Sequence, residues 1–119
     1  MLQLMNVIKD RGSRYAVSGG PVQNKDDIAA FLKALKSNKK FSKATHNSWA
    51  ACLSDGPQRN DDGEAGAAAA ILRMLEREGL TDHIVVVTRW YGGTHLGGDR
   101  FRHVTGCTRA YLDALAKDD

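Results

Sequence analysis

The stretch Ile84-Val85-Val86-Val87-Thr88-Arg89-Trp90-Tyr91-Gly92-Gly93-Thr94-His95-Leu96-Gly97-Gly98-Asp99-Arg100-Phe101 decides how the chain is organised. From His83 to Thr88 it is apolar and rich in β-branched residues. That is the composition of a strand covered on both faces or placed at a sheet centre. From Asp99 the period changes. Phe101, Val104, Thr108, Tyr111 and Leu115 recur at helical spacing and predict a helix through Ala116. A glycine-rich turn joins the two elements, and backbone amides at such a turn often face a ligand or partner. Four glycines within seven positions read in two ways. They cradle a phosphate, or they form a tight turn of positive-φ residues that lets helix and strand approach closely. No Lys-Ser/Thr pair follows, and the spacing is not that of a dinucleotide fingerprint.

Working outward, residues 2–9 form an irregular first strand. Ser13 to Ser18 alternates as a second, closed by Gly19-Gly20-Pro21. Asn24 caps a helix whose first turn holds Asp26 and Asp27. Its apolar stripe is Ile28, Phe31, Leu32 and Leu35, and it ends at Ser37-Asn38. Thr45 to Leu53 reads as a strand inside the sheet, with Trp49, Ala51 and Leu53 on one face. Ser54 to Asn60 reads as a polar loop. An alanine-rich helix then runs to Glu78 with Ala68, Ile71, Leu72 and Leu75 on its buried side. Gly79 closes it, with Leu80 in apolar contact. The order β-β-α-β-α-β-α predicts an α/β (α+β) two-layer sandwich, a mixed four-stranded sheet with helices on one face. One domain spans 1–119.

Hydrophobic residues make up 42% of the chain and charged residues 26%, as in a folded domain. No stretch approaches the about 18 apolar residues of a membrane span, and the N-terminus lacks a signal-peptide pattern. A cytoplasmic location is the expectation. Cys52 and Cys107 form no disulfide framework and read as reduced and buried. The net charge of +3 is uneven. Residues 1–43 carry nine Lys/Arg against three Asp/Glu, and residues 44–88 carry three against seven. Lys33, Lys36, Lys39, Lys40 and Lys43 are either a solvated helix end or a surface for phosphates. With Arg89, Arg100, Arg102 and Arg109 they form the alternative functional reading, an RNA- or ribosome-binding surface.

Asp61, Asp62 and Glu64 form the tightest acidic group. They read as Mg²⁺ or Ca²⁺ ligands, as a helix cap with an ion pair to Arg89 or Arg100, or as a recognition edge. With the glycine turn they would also suit an enzyme acting on phosphorylated substrates. The histidines His46, His83, His95 and His103 lack zinc spacing. His103 and Cys107 share a helix face but lack a third, orienting group.

Several of these segments together resemble the IMPACT family, which includes the bacterial YigZ-like proteins. The matching runs are Asp10-Arg11-Gly12-Ser13, Ala44-Thr45-His46-Asn47 and Asp61-Asp62-Gly63-Glu64 with the small-residue helix behind it. Val85 to Gly93, Leu96-Gly97 and Asp99-Arg100-Phe101-Arg102-His103 complete the resemblance. It spans about residues 7–116. It implies a fold like domain 2 of ribosomal protein S5 and a non-enzymatic regulator of translation without cofactor or metal. Eukaryotic members compete for the ribosome-associated activator of the general-control kinase, which phosphorylates an initiation factor during amino-acid starvation. Some also bind actin.

The family motif carries over to His46, Asp61, Asp62, Gly63, Glu64, Arg89, Tyr91, Gly92, Gly93, Leu96 and Gly97. These, with Trp90, Asp99 and Arg100, are expected to form one partner-binding patch anchored by Trp90 or Tyr91. The chain departs from the pattern at Ala65, Ala68-Ala69 and Thr94-His95. The RWD domain of eukaryotic members, which contacts the activator, and the C-terminal domain of bacterial members do not occur in these 119 residues.

Overall fold

The computed structural model describes residues 1–117. Five strands and four helices follow in the order β1 (Leu2–Asp10), β2 (Ser13–Pro21), α1 (Lys25–Ser37), α2 (Lys39–Ser42), β3 (His46–Leu53), β4 (Gly56–Asn60), α3 (Ala67–Glu78), β5 (His83–Trp90) and α4 (Asp99–Lys117). The expected α+β class is what the structure has. The sheet differs in detail: it has five strands in the order β1-β2-β5-β3-β4, and every neighbouring pair is antiparallel. The additional strand is β4, expected as loop. Leu53 pairs with Gly56, so only Ser54 and Asp55 turn the hairpin. Gly56 and Pro57 are turn residues by type, but an edge strand tolerates a proline that cannot donate. β5 is the last strand along the chain and enters the middle of the sheet. It runs antiparallel to both β2 and β3, and so separates the two strands that are parallel to each other.

Helices lie on both faces rather than one. Val85 and Val87 pack with Tyr15, Val17, Ala50 and the stripes of α3 and α4. Ile84 and Val86 pack with Ala16, Ala51, Leu53 and with Ile28, Leu35 and Phe41 of α1 and α2. The reason lies in β5: side chains alternate across a strand, both sets here are apolar, and each needs its own cover. The result is three layers.

Local signals account for the helix ends. Asn24 Oδ1 accepts the Asp27 amide at 2.8 Å, as an N-cap does. Gly79 has φ +67° and its amide donates to the Leu75 and Glu76 carbonyls. The Leu80 amide donates to Leu75 at 3.0 Å, and Leu80 packs on the core. The α3 stripe is buried as expected. On α4 the buried face is His103, Val104, Cys107, Thr108, Tyr111 and Leu112, and Phe101 is exposed. Phe101 instead covers Gly66, where an added Cβ would meet its ring at 2.7 Å.

Candidate functional site

A cleft of about 370 Å³ opens where the C-terminal end of β5 meets the start of β3 and the loop before α4. Thr45, His46, Gly63, Glu64, Arg89, Tyr91, His95, Leu96, Gly97 and Arg100 line it. Its floor is an ion pair between Arg89 on β5 and Glu64 on the loop before α3. Arg89 Nη1 donates to Glu64 Oε1 at 2.9 Å and Oε2 at 3.2 Å. Both residues are buried, at 5% and 4% exposure. Burying a lone charge is costly, so each demands the other. His46 Nδ1 lies 2.8 Å from the Asp62 carbonyl oxygen, which assigns that nitrogen as a donor. Its Nε2 then faces Glu64 Oε2 at 3.2 Å. Arg100 Nη1 approaches the same oxygen at 3.9 Å from the more exposed side. One carboxylate is thus ringed by three basic side chains. Leu96 is the buried apolar element of the wall, and Tyr91 is 42% exposed at the rim.

The other acids hold this arrangement in place. Asp61 accepts the amides of Gly66 at 3.1 Å and Ala68 at 2.9 Å, and so caps α3 from several residues away. Asp62 Oδ2 accepts the Asn47 amide at 2.7 Å. The three acids therefore serve three different partners, which favours the cap-and-ion-pair reading over a shared cation. Gly63 has φ +87°, and a Cβ there would come within 3.1 Å of His46 Nδ1. A side chain would push the imidazole away from Glu64.

The glycine turn serves close approach. A Cβ on Gly92 would lie 1.9 Å from the Gly12 carbonyl carbon, so the β1–β2 turn and the end of β5 touch backbone to backbone. The amides of Asp99, Arg100 and Phe101 donate to Leu96, Gly97 and Gly98 carbonyls. The start of α4 therefore presents no open row of amides for a phosphate. Gly93 is exposed and lies outside the cleft lining, as does Asp99, which pairs with Arg11 and, at 3.4 Å, with Arg102.

Trp90 is the main departure from the expected patch. It belongs to the opposite face of the sheet, stacks edge-on against Phe41 at 5.3 Å and donates Nε1 to the Lys40 carbonyl at 2.9 Å. Alternation along β5 sends neighbours Arg89 and Trp90 to opposite faces. Tyr91 is thus the exposed aromatic of the cleft. The basic group also divides. Lys33 and Lys36 are exposed on α1 and Lys39 on α2, while Lys40 and Lys43 line a separate groove. Arg89 and Arg100 belong to the cleft, and Arg109 pairs with Glu78 and Asp113.

Two cleft residues, Thr45 and His95, escaped the sequence reading as site residues. Thr45 Oγ1 accepts the Tyr91 amide at 2.9 Å. Ser13, in the quoted Asp10–Ser13 run, holds the floor from below: its Oγ lies 3.4 Å from Arg89 Nη2 and 3.3 Å from the Gly92 amide. No signal beyond the resemblance marks these positions. Elsewhere, burial pushes the Cys107 thiol up to about 12, and His103 Nε2 is engaged by Asp10 at 2.7 Å. That pair is structural, not nucleophilic.

The fold and cleft define a small α+β domain in which the buried Glu64–Arg89 ion pair lies beneath an exposed aromatic rim. The chain belongs to the IMPACT family: the Impact N-terminal domain matches residues 11–112. It is 40% identical over 114 residues to "Protein IMPACT homolog" of Caenorhabditis elegans, covering 89% of this chain and 44% of that protein. It is 37% identical over 111 residues to "Protein IMPACT" of Oryctolagus cuniculus, covering 88% and 35%. The chain thus spans less than half the length of these relatives. A crystal structure of a hypothetical protein shares the fold, with a TM-score of 0.79 at 22% identity over 93% of this chain and 57% of that one. The structure of the two-domain translational regulator Yih1 aligns with a TM-score of 0.52 and 29% identity, over 94% of this chain and 44% of that one.

Proposed function

We propose that the domain is a non-enzymatic, protein-binding module of a cytoplasmic translational regulator, and that the cleft is its recognition surface. The observation that carries this reading is the state of the Glu64 carboxylate. It is buried and hydrogen-bonded to Arg89, with His46 and Arg100 beside it, so it orients a surface instead of serving as a free acid or base. Tyr91 and Arg100 remain on the accessible side, and these residue types commonly anchor protein contacts. Membership of the IMPACT family and the likeness to Yih1 support translation control as the setting. In the finer form of the proposal, the module competes for the ribosome-associated activator of the general-control kinase and so restrains that kinase. Actin is a further candidate partner.

The test immobilises the domain and challenges it with ribosomes carrying the activator, after nuclease treatment. The wild type is compared with a Tyr91→Ala, Arg100→Ala variant shown to be folded by circular dichroism. Retention of the activator by wild type and its loss in the variant, with a matching fall in kinase inhibition, is the expected result. Equal retention by both proteins, or by neither, overturns the reading.

A further inference from the structure

Beside the cleft lies a second groove of about 400 Å³, lined by Gly12, Arg14, Lys40, Lys43, Trp90 and Tyr91. Its three cations come from β2 and from α2 and its C-terminal end, far apart in sequence. All three are exposed, and none has a carboxylate partner among the described residues. No acidic side chain lines the groove. Two aromatics do. Trp90 spends its only donor on the Lys40 carbonyl, which fixes α2 against the end of β5 and leaves an indole surface with Lys40 Nζ 5.6 Å from the ring centroid. Tyr91 lines both this groove and the neighbouring cleft, where its ring lies 5.4 Å from that of His95 and 5.8 Å from the Arg89 guanidinium, and it remains 42% exposed.

We propose that this groove binds single-stranded nucleic acid, with backbone phosphates at Arg14, Lys40 and Lys43 and a base stacked on Tyr91. Cations alone would suit any polyanion. The exposed ring placed among them is what selects a polynucleotide, because each base offers a π-face and each linkage a phosphate. Asp and Glu side chains of an acidic peptide would use the lysines but offer no π-face to the ring. The groove has the volume of a small-ligand pocket, not of a duplex track, and a base must be unstacked to reach Tyr91. Tyr91 is shared with the protein-binding reading, but the phosphate contacts are separate from it, since Arg14, Lys40 and Lys43 do not line the cleft.

The experiment is fluorescence anisotropy with labelled rU12 and dT12 oligonucleotides, in 50 to 300 mM salt, with poly-glutamate as competitor. Three phosphate contacts predict a log–log salt slope of about −2 for a single strand. Tyr91→Ala should weaken binding about 5- to 150-fold, as loss of one base stack does, while Tyr91→Phe keeps it. A Lys40→Ala, Lys43→Ala variant should flatten the slope to about −0.7 and yet retain the protein partner of the cleft. The Lys40 carbonyl that holds Trp90 is backbone, so the variant keeps that bond. Tighter binding of either oligonucleotide supports the site and tells RNA from DNA. The proposal is overturned by no binding at 50 mM salt, by affinity indifferent to Tyr91→Ala, or by poly-glutamate competing as well as rU12. That last outcome would assign the groove to acidic protein segments.

Discussion

Glu64 and Arg89 lie 25 residues apart in sequence and meet at 2.9 Å beneath the cleft, both almost wholly buried. The pair is a structural condition of the site. Removing one partner leaves an uncompensated buried charge. Glu64→Leu and Arg89→Met should each destabilise by about 3–5 kcal/mol, whereas the double variant carrying both should recover most of that loss. Urea denaturation of the double-mutant cycle measures it. Additive losses would mean that the pair is not coupled.

Gly92 and Gly12 touch backbone to backbone. Gly92→Ala forces the β1–β2 turn away from β5 and should cost at least about 1–3 kcal/mol, in the range of overpacked cores. Gly98 has open space around its Cβ position and no positive φ. Gly98→Ala should therefore change stability little. Melting temperatures of the two variants, read side by side, separate close packing from generic glycine effects.

Asp61 satisfies two amides at the start of α3. Asp61→Ala should cost about 0.5–2 kcal/mol, as lost caps do, and Asp61→Asn less. Hydrogen exchange at the Ala68 amide should quicken in the alanine variant. An unchanged rate would show that the cap is dispensable.

Asp10 accepts hydrogen bonds from Arg11 and His103, which hold its carboxyl well below the usual 3.8. Its contribution to stability is present above 3.8 and is lost as pH falls toward the lower folded value, because the unfolded chain takes up the proton first. Burial depresses His83 below 6.5, so this imidazole also costs stability as pH drops through that value. Urea midpoints between pH 7 and 2 should fall in both windows. Asp10→Asn should remove only the lower one.

Cys107 is buried, with its thiol pushed up to about 12 by desolvation, and Cys52 is raised by the same cause. Neither thiol should react quickly with an aromatic disulfide reagent at pH 8 in the folded protein. Cys52, half-buried, should react first, and Cys107 only as fast as the protein opens. Rapid reaction of both would mean the core is looser than the packing indicates.

Much of this molecule was legible along the chain. Asn24, Gly79 and the stripe of Ile71, Leu72 and Leu75 mark their helices through neighbours within a few residues, where period and capping chemistry are local. The continuous Ile84–Val87 run marks β5 as a strand either covered on both faces or central in the sheet, but the helices on its second face were not expected. The motif Asp61-Asp62-Gly63-Glu64 and the Arg89–Gly93 run mark where the site would be. Sequence alone could not show that β5 inserts between β2 and β3, or that Gly56–Asn60 completes the sheet as an edge strand. Pairing is decided by which backbone lies alongside, and polar edge residues carry the same composition as a loop.

The division of labour within the site was likewise a tertiary matter. Arg89 and Trp90 are adjacent in sequence, but the pleat sends one to the Glu64 ion pair and the other to Phe41 and the Lys40 carbonyl. Only the assembled sheet places Ser13, Thr45 and His46 around the end of β5, because those contacts cross 43 to 79 residues of chain. Residue types and their local spacing determined the family and every element but β4 and the short α2. The depth of Glu64, and the choice of Tyr91 over Trp90 as the exposed ring, follow from burial, which no short stretch of sequence sets by itself.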